Sequence, residues 1–141
     1  MDAFVDQTCV VTGGGSGIGK ALSELLIKRG ARVYAFDINA EGLNSLDCAG
    51  HPARLHKVQV DITNEALVSN QLSAVVRENS SIDYLFNVAG ITIAGEARDL
   101  SRDNWRQVID VNLNGIINAT VDAYQQMVRQ GHGHIVLLSG P

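Results

Sequence analysis

The run Thr12-Gly13-Gly14-Gly15-Ser16-Gly17-Ile18-Gly19 has the composition of a turn that presses backbone N–H groups against a phosphate. Glycine tolerates positive φ and puts no Cβ between backbone and anion. A helix starting just beyond adds free N–H groups and the positive end of its dipole. Gly13 and Gly17 fit those jobs, Ser16 and Ile18 complete the turn, and Gly19 lets the helix pack closely. A second reactive group follows in Phe36-Asp37-Ile38. A carboxylate at a strand end can accept hydrogen bonds from both hydroxyls of a ribose, and it repels a 2′-phosphate. Turn and acid together predict a dinucleotide site that prefers NAD to NADP. Each has a plainer reading: a flexible loop for the glycines, a solvated acid for Asp37. The strand before the turn and the helix after it favour the site.

The elements that must carry these groups are readable from periodicity. Short β-rich runs occur at Thr8 to Val11, Arg32 to Phe36, Leu55 to Val60, Asp83 to Phe86 and His134 to Leu138. Between them, Ile18, Ala21, Leu22, Leu25 and Leu26 suit one face of a helix that stops at Gly30. Asn64 can cap a second helix carrying Leu67, Leu72, Val75 and Val76, and a shorter helix is expected over Glu41 to Leu46. The longest helical stretch starts near the cap Ser101. It runs through Asn104, Trp105, Val108 and Ile109, bends, and resumes from Leu113 through Ile116, Ile117 and Ala123 to Met127 and Val128, ending at Gly131. Strand alternating with helix implies a parallel sheet covered on both faces, an α/β doubly wound fold. The irregular stretch from Ile91 to Leu100 is the longest and is expected to border the site.

Composition narrows the classes. A chain of 141 residues with 45% apolar content supports one domain spanning residues 1–141, and the net charge of −4 argues against nucleic acid or an anionic membrane. No basic residue precedes the first apolar run, no run is long enough to span a bilayer, and Cys9 and Cys48 lack metal spacing. Reduced thiols in the cytoplasm are the expectation. His132 and His134 read as solvated loop residues rather than metal ligands, Asp110 as a surface acid, and Trp105 as packing its helix onto the sheet.

Four segments in order resemble the short-chain dehydrogenase/reductase family: the TGxxxGIG turn, Asp61-Ile62-Thr63, Asn87-Val88-Ala89-Gly90, and Val111-Asn112-Leu113-Asn114-Gly115. Val88 departs from the second Asn of the family's Asn-Asn-Ala-Gly. The resemblance implies a Rossmann-type sheet of order 3-2-1-4-5, with the cofactor across the point where strand order reverses. It implies that Asp61 contacts the adenine amino group, that Ile62 packs beside the ring, and that Asn87, Ala89 and Gly90 lie along the ribose. Asn112 would belong to the family's Asn-Ser-Tyr-Lys tetrad, bending its helix and holding a water in a proton relay. A purely structural kink residue fits the same position.

The resemblance also exposes a gap. In such enzymes a YxxxK motif after the fifth strand transfers the proton that accompanies hydride transfer. No Tyr of this chain (Tyr34, Tyr84, Tyr124) is followed four residues later by Lys. The tetrad Ser falls at Gly140, with Ser139 as its neighbour and the substitute after a one-residue shift. The expectation is therefore a family domain truncated after strand five, with an apolar edge at Ile135 to Leu138 prone to pairing. A small-molecule alcohol or carbonyl substrate is implied once the domain is completed, as is a homo-oligomer through Ile116, Ile117 and Tyr124. A catalytically inactive NAD-binding or interaction module is the alternative. Another Rossmann protein, such as a methyltransferase, fits the glycine turn but not Asn87 to Gly90.

Overall fold

The computed structural model describes residues 2–139; Gly140, the expected position of the tetrad serine, lies outside the described residues. Five strands, β1 (Thr8–Thr12), β2 (Arg32–Asp37), β3 (Leu55–Gln59), β4 (Tyr84–Asn87) and β5 (His134–Leu137), form one sheet in the order β3-β2-β1-β4-β5. Every pairing is parallel. Parallel neighbours need crossovers, and the helices supply them: α1 (Gly17–Lys28), α2 (Ala40–Asn44), α3 (Glu65–Asn79), α4 (Arg102–Ile109) and α5 (Gly115–Gln130). Because β1 is central and fully buried, its side chains alternate between two cores. Val10 joins Phe36, Leu72, Leu85 and Ala119 on one face, while Cys9 and Val11 join Leu26, Ile27 and Val33 on the other.

Two helix faces differ from the sequence expectation. In α1, Ile18 and Leu25 point outward, and the buried residues are Gly19, Ser23, Leu26 and Ile27. The reason is steric. A Cβ on Gly19 would collide with the Gly13 carbonyl, so this helix meets the turn on its smallest residues, which apolar periodicity discounts. In α3 the buried set is Val68, Leu72 and Val75, and Leu67 is exposed.

The expected bend in the long helix is a π-helical turn, Asp110–Asn114, joining α4 to α5. Its wider hydrogen bonding inserts an extra residue into the helix and shifts the phase of everything after it. Ala119, Ala123 and Met127 consequently face the sheet, while Ile109, Leu113, Ile117, Val121, Tyr124 and Val128 form an exposed apolar stripe. Trp105 does not pack on the sheet; it is 53% exposed, because α4 stands off the sheet and has no buried residue. Asp110 is exposed, as expected, and accepts from Asn114 Nδ2 at 2.9 Å. His132 is not simply solvated, since its Nε2 lies 3.0 Å from the Asp83 carboxylate, whose other oxygen accepts from Thr8 N–H at 2.7 Å. Among the described residues, no helix is long and apolar enough to cross a membrane.

Both cysteines are free. Burial, and secondarily the charge of Asp83, push the Cys9 thiol up to about 12, whereas Cys48 is only half-buried. Iodoacetamide at about pH 8 therefore adds one group to the native protein, at Cys48, and two after denaturation, as read by intact mass. Two adducts on the native protein would mean that the β1 core opens.

Candidate functional site

The site lies where the sheet changes winding direction, at the carboxyl ends of β1 and β4. Past these ends the ladder stops, and the N–H groups of Val88 and Ala89 need other partners. Thr12 Oγ1 accepts from both, at 3.1 and 3.2 Å. Gly13 then turns with φ +68°, and a Cβ there would stand 2.8 Å from Ala89 Cα. The turn thus abuts the end of β4 backbone to backbone, which only glycine permits. Gly17, with φ +50°, is its opposite: a Cβ there would meet nothing within 4 Å. The inner side of the turn is packed shut, and the outer side, at the start of α1, is open.

Asp37 is tied to this turn. Its Oδ2 accepts from Gly15 N–H and its Oδ1 from Asn39 N–H, both at 2.9 Å. Asn39 in turn caps α2, its Oδ1 accepting from Glu41 and Gly42 N–H. A Cβ on Gly42 would stand 2.5 Å from the Gly15 carbonyl, so α2 leans directly on the turn. The carboxylate is held by two backbone donors and lines the cleft. Asp61 is fixed similarly, its Oδ1 accepting from Thr63 N–H and Oγ1 at 2.9 and 2.7 Å.

A cleft of about 230 Å³ runs between these groups, from Asp37, Ile38, Asp61 and Ile62 past Gly13 and Ser16 to Ala89 and Gly90. The lining also includes Ile91, the start of the stretch expected to border the site, and Thr12, Phe36, Val60 and Val111, which sequence reasoning did not assign to a site. Gly17, Ile18 and Gly19 stand at the helix start, outside the lining. Asn87 is not at the cleft surface. It is 1% exposed, and its Nδ2 donates to Thr120 Oγ1 at 3.0 Å, binding β4 to α5. Asn112 sits in the π turn, where its amide clamps one residue: Oδ1 accepts from Ile91 N–H and Nδ2 donates to the Ile91 carbonyl, both at 2.8 Å. Ser139 is exposed beyond β5 and is not among the lining residues.

Several fastening residues carried no role in the sequence reading. Thr12 is one. Gly115 is another, since a Cβ there would stand 2.7 Å from Ile62 Cγ2. Asn118 completes the set by donating to the Ile62 carbonyl at 3.0 Å. For Gly115 and Asn118 the signal was present as a small and an amide residue three apart after Asn112, but nothing in the sequence says what that face touches.

A sequence model of the family described as short chain dehydrogenase matches residues 7–140. The chain belongs to the short-chain dehydrogenase family. It is 36% identical over 135 residues to a 3-oxoacyl-[acyl-carrier-protein] reductase, FabG, of Thermotoga maritima, covering 94% of this chain and 55% of that protein. It is 34% identical to an NAD-dependent glycerol dehydrogenase of Listeria innocua, covering 94% of this chain and 52% of that one. Among solved structures, an NAD⁺-bound xylitol dehydrogenase superposes with a TM-score of 0.88 at 30% identity, covering 96% of this chain and 53% of its own. The chain spans about half the length of the curated relatives it matches. The sheet order 3-2-1-4-5 implied by the resemblance is the order observed.

The Asn112 clamp can be tested apart from any ligand. Asn112→Ala leaves the Ile91 N–H and carbonyl without partners, a loss of about 1–3 kcal/mol. Amide exchange at Ile91 should accelerate roughly tenfold or more while β1 amides stay protected. Unchanged exchange would show that the clamp does not hold the loop.

Proposed function

We propose that this chain is the cofactor-binding part of an NAD(H)-dependent short-chain oxidoreductase acting on an alcohol or carbonyl compound. The observation that carries the reading is the pairing of an open glycine turn at a helix start with a carboxylate bonded to that same turn, on one cleft. The residues suit a dinucleotide. Gly17 leaves space for a pyrophosphate beside the N–H groups opening α1, and Ser16 lines the same wall. Asp37 keeps acceptor capacity for ribose hydroxyls, and its fixed negative charge disfavours a 2′-phosphate, hence NAD over NADP. Asp61 offers an acceptor to an adenine amino group, Ile38 and Ile62 offer apolar walls for the ring, and Ala89 and Gly90 present bare backbone farther along. Two relatives named for NAD support the choice of cofactor. Such a cofactor, when bound, exchanges a hydride with the substrate.

Asn87 and Asn112 serve this site from outside the lining, by holding β4 to α5 and Ile91 to the π turn. Tyr34 is an unsuitable proton donor. Burial first, then the Glu78 carboxylate that accepts its hydroxyl at 2.6 Å, hold it above the usual phenol range. The cleft lining contains no Tyr, Lys or His. That observation favours a second reading for the chain by itself, an NAD-binding module without turnover. Ser139 is retained as a candidate substrate-oxygen ligand on sequence position alone. One domain over residues 1–141, working in the cytoplasm, is consistent with the single sheet and the two free thiols.

Calorimetric titration with NADH and NADPH tests the reading. NADH should bind the wild-type chain and not Gly17→Trp, with circular dichroism confirming that the variant folds. Asp37→Asn should weaken NADH roughly tenfold, about 1.4 kcal/mol, and narrow the preference over NADPH. Equal NADH affinity in wild type and Gly17→Trp would sink the assignment. Oxidation of an alcohol by the isolated chain would overturn the module without turnover.

The exposed stripe from Ile109 to Val128 supports self-association, since a continuous apolar row of this length is unusual on a monomer's surface. Sedimentation of wild type should show a concentration-dependent dimer that Ile117→Glu with Val121→Glu abolishes. A wild type that stays monomeric across the same range would refute it.

A further inference from the structure

The orientation of Asp37 depends on an element outside the cleft. Helix α2 holds five residues, Ala40–Asn44, and none of them lines the cleft. It meets the glycine turn at Gly15, and the fit is tight. A Cβ on Gly15 would stand 3.0 Å from Asp37 Oδ2 and 3.1 Å from the Leu43 nitrogen. Across the same contact, a Cβ on Gly42 would stand 2.5 Å from the Gly15 carbonyl oxygen. The helix is also latched from behind. Ser45 Oγ donates to the Gly42 carbonyl at 2.7 Å, while Lys20 of α1 donates to Ser45 Oγ and to its carbonyl at 2.8 and 3.2 Å. Lys57 of β3 donates to the Asn44 carbonyl at 3.2 Å. Two lysines thus meet the carbonyl end of one short helix, and Leu43 and Leu46 are buried against Ala35.

We propose that Gly42 is a positioning residue for cofactor choice: by letting α2 rest on Gly15, it holds the Asp37 carboxylate where it favours a free ribose 2′-hydroxyl over a 2′-phosphate. The inference rests on the cofactor reading above. The path from Gly42 to Asp37 is short. Gly15 and Asn39 N–H each donate to one oxygen of Asp37, and the Asn39 side chain accepts from Gly42 N–H. A methyl on Gly42 must displace either the turn or α2. Either displacement moves Asp37, because one of its oxygens is tied to each side. The latch and the two leucines resist retreat of α2, so the larger share falls on Gly15. Recognition of a diol needs short distances, since hydrogen bonds weaken steeply beyond about 3.2 Å. Repulsion of a 2′-phosphate also falls as the carboxylate recedes. A shifted Asp37 therefore binds NADH less well and excludes NADPH less well, and the ratio between them narrows. Helix propensity alone predicts the opposite of damage, because alanine is the better helix former.

Calorimetry with NADH and NADPH on the full chain compares wild type, Gly42→Ala, Ser45→Ala and Asn44→Ala, each checked for folding by circular dichroism. Gly42→Ala should lower the ratio of NADH to NADPH affinity roughly tenfold, and Ser45→Ala, which removes the latch hydroxyl, roughly twofold. Asn44→Ala, at an exposed position of the same helix, should leave the ratio unchanged. Without any cofactor, the Gly15 and Asn39 amides should exchange roughly tenfold faster in Gly42→Ala, while β1 amides keep their protection. An unchanged ratio in folded Gly42→Ala, or equal losses for both dinucleotides, overturns the positioning role and leaves the cofactor reading standing. If Gly42→Ala does not fold, an unchanged ratio in Ser45→Ala overturns it instead. A wild type that binds neither dinucleotide removes the role through failure of the cofactor reading, whatever the amides of Gly15 and Asn39 do.

Discussion

Strands on opposite sides of a central β1 open a cleft only if their ends stay at a fixed separation, and here one threonine and one glycine hold them. Thr12 Oγ1 satisfies the N–H groups of Val88 and Ala89 just where the β1–β4 ladder has run out. Each of those donors, buried without a partner, would cost about 1–3 kcal/mol. Gly13 lets the backbone of the turn rest against Ala89. The direction of α1, the position of its free N–H groups and the width of the cleft all follow from that junction.

The remaining fastenings radiate from it. Gly15 donates to Asp37, Asp37 accepts from Asn39, and Asn39 caps the helix that leans back on Gly15. On the other side, the π turn and α5 present Asn112, Gly115, Asn118 and Thr120 toward the sheet, where they meet Ile91, Ile62 and Asn87. One helix therefore positions the ends of both β3 and β4. The extra residue in the π turn gives the phase that makes this possible, and the same phase turns Leu113, Ile117 and Val121 outward. Inward anchoring and the exposed apolar stripe have a common geometric origin.

Much of this was legible beforehand. The alternation of β-rich and helical segments located all five strands to within a residue or so, and with the family resemblance it led to the observed sheet order. The glycine turn and Asp37 were found by type and spacing, because local backbone needs and charge are local properties. The misjudged positions share one cause. Ile18, Leu25, Leu67 and Trp105 were assigned inward because they are apolar, yet the small residues Gly19 and Ser23 were what brought α1 against the sheet. Periodicity reads hydrophobicity, whereas close approach is decided by volume.

The sequence by itself determined the chemistry available to the chain: a turn of glycines able to face an anion, an acid able to bind a diol, and strands apolar enough to be buried. Tertiary structure decided which residues share a surface. It put Asn87 behind the cleft and Asn112 onto Ile91, brought Val111 into the lining, and left Trp105 over a recess of its own. These outcomes depend on contacts between segments distant in the chain, so no local pattern encodes them. They were settled by packing, for Asn87 through a helix, α5, whose phase a single π turn had shifted.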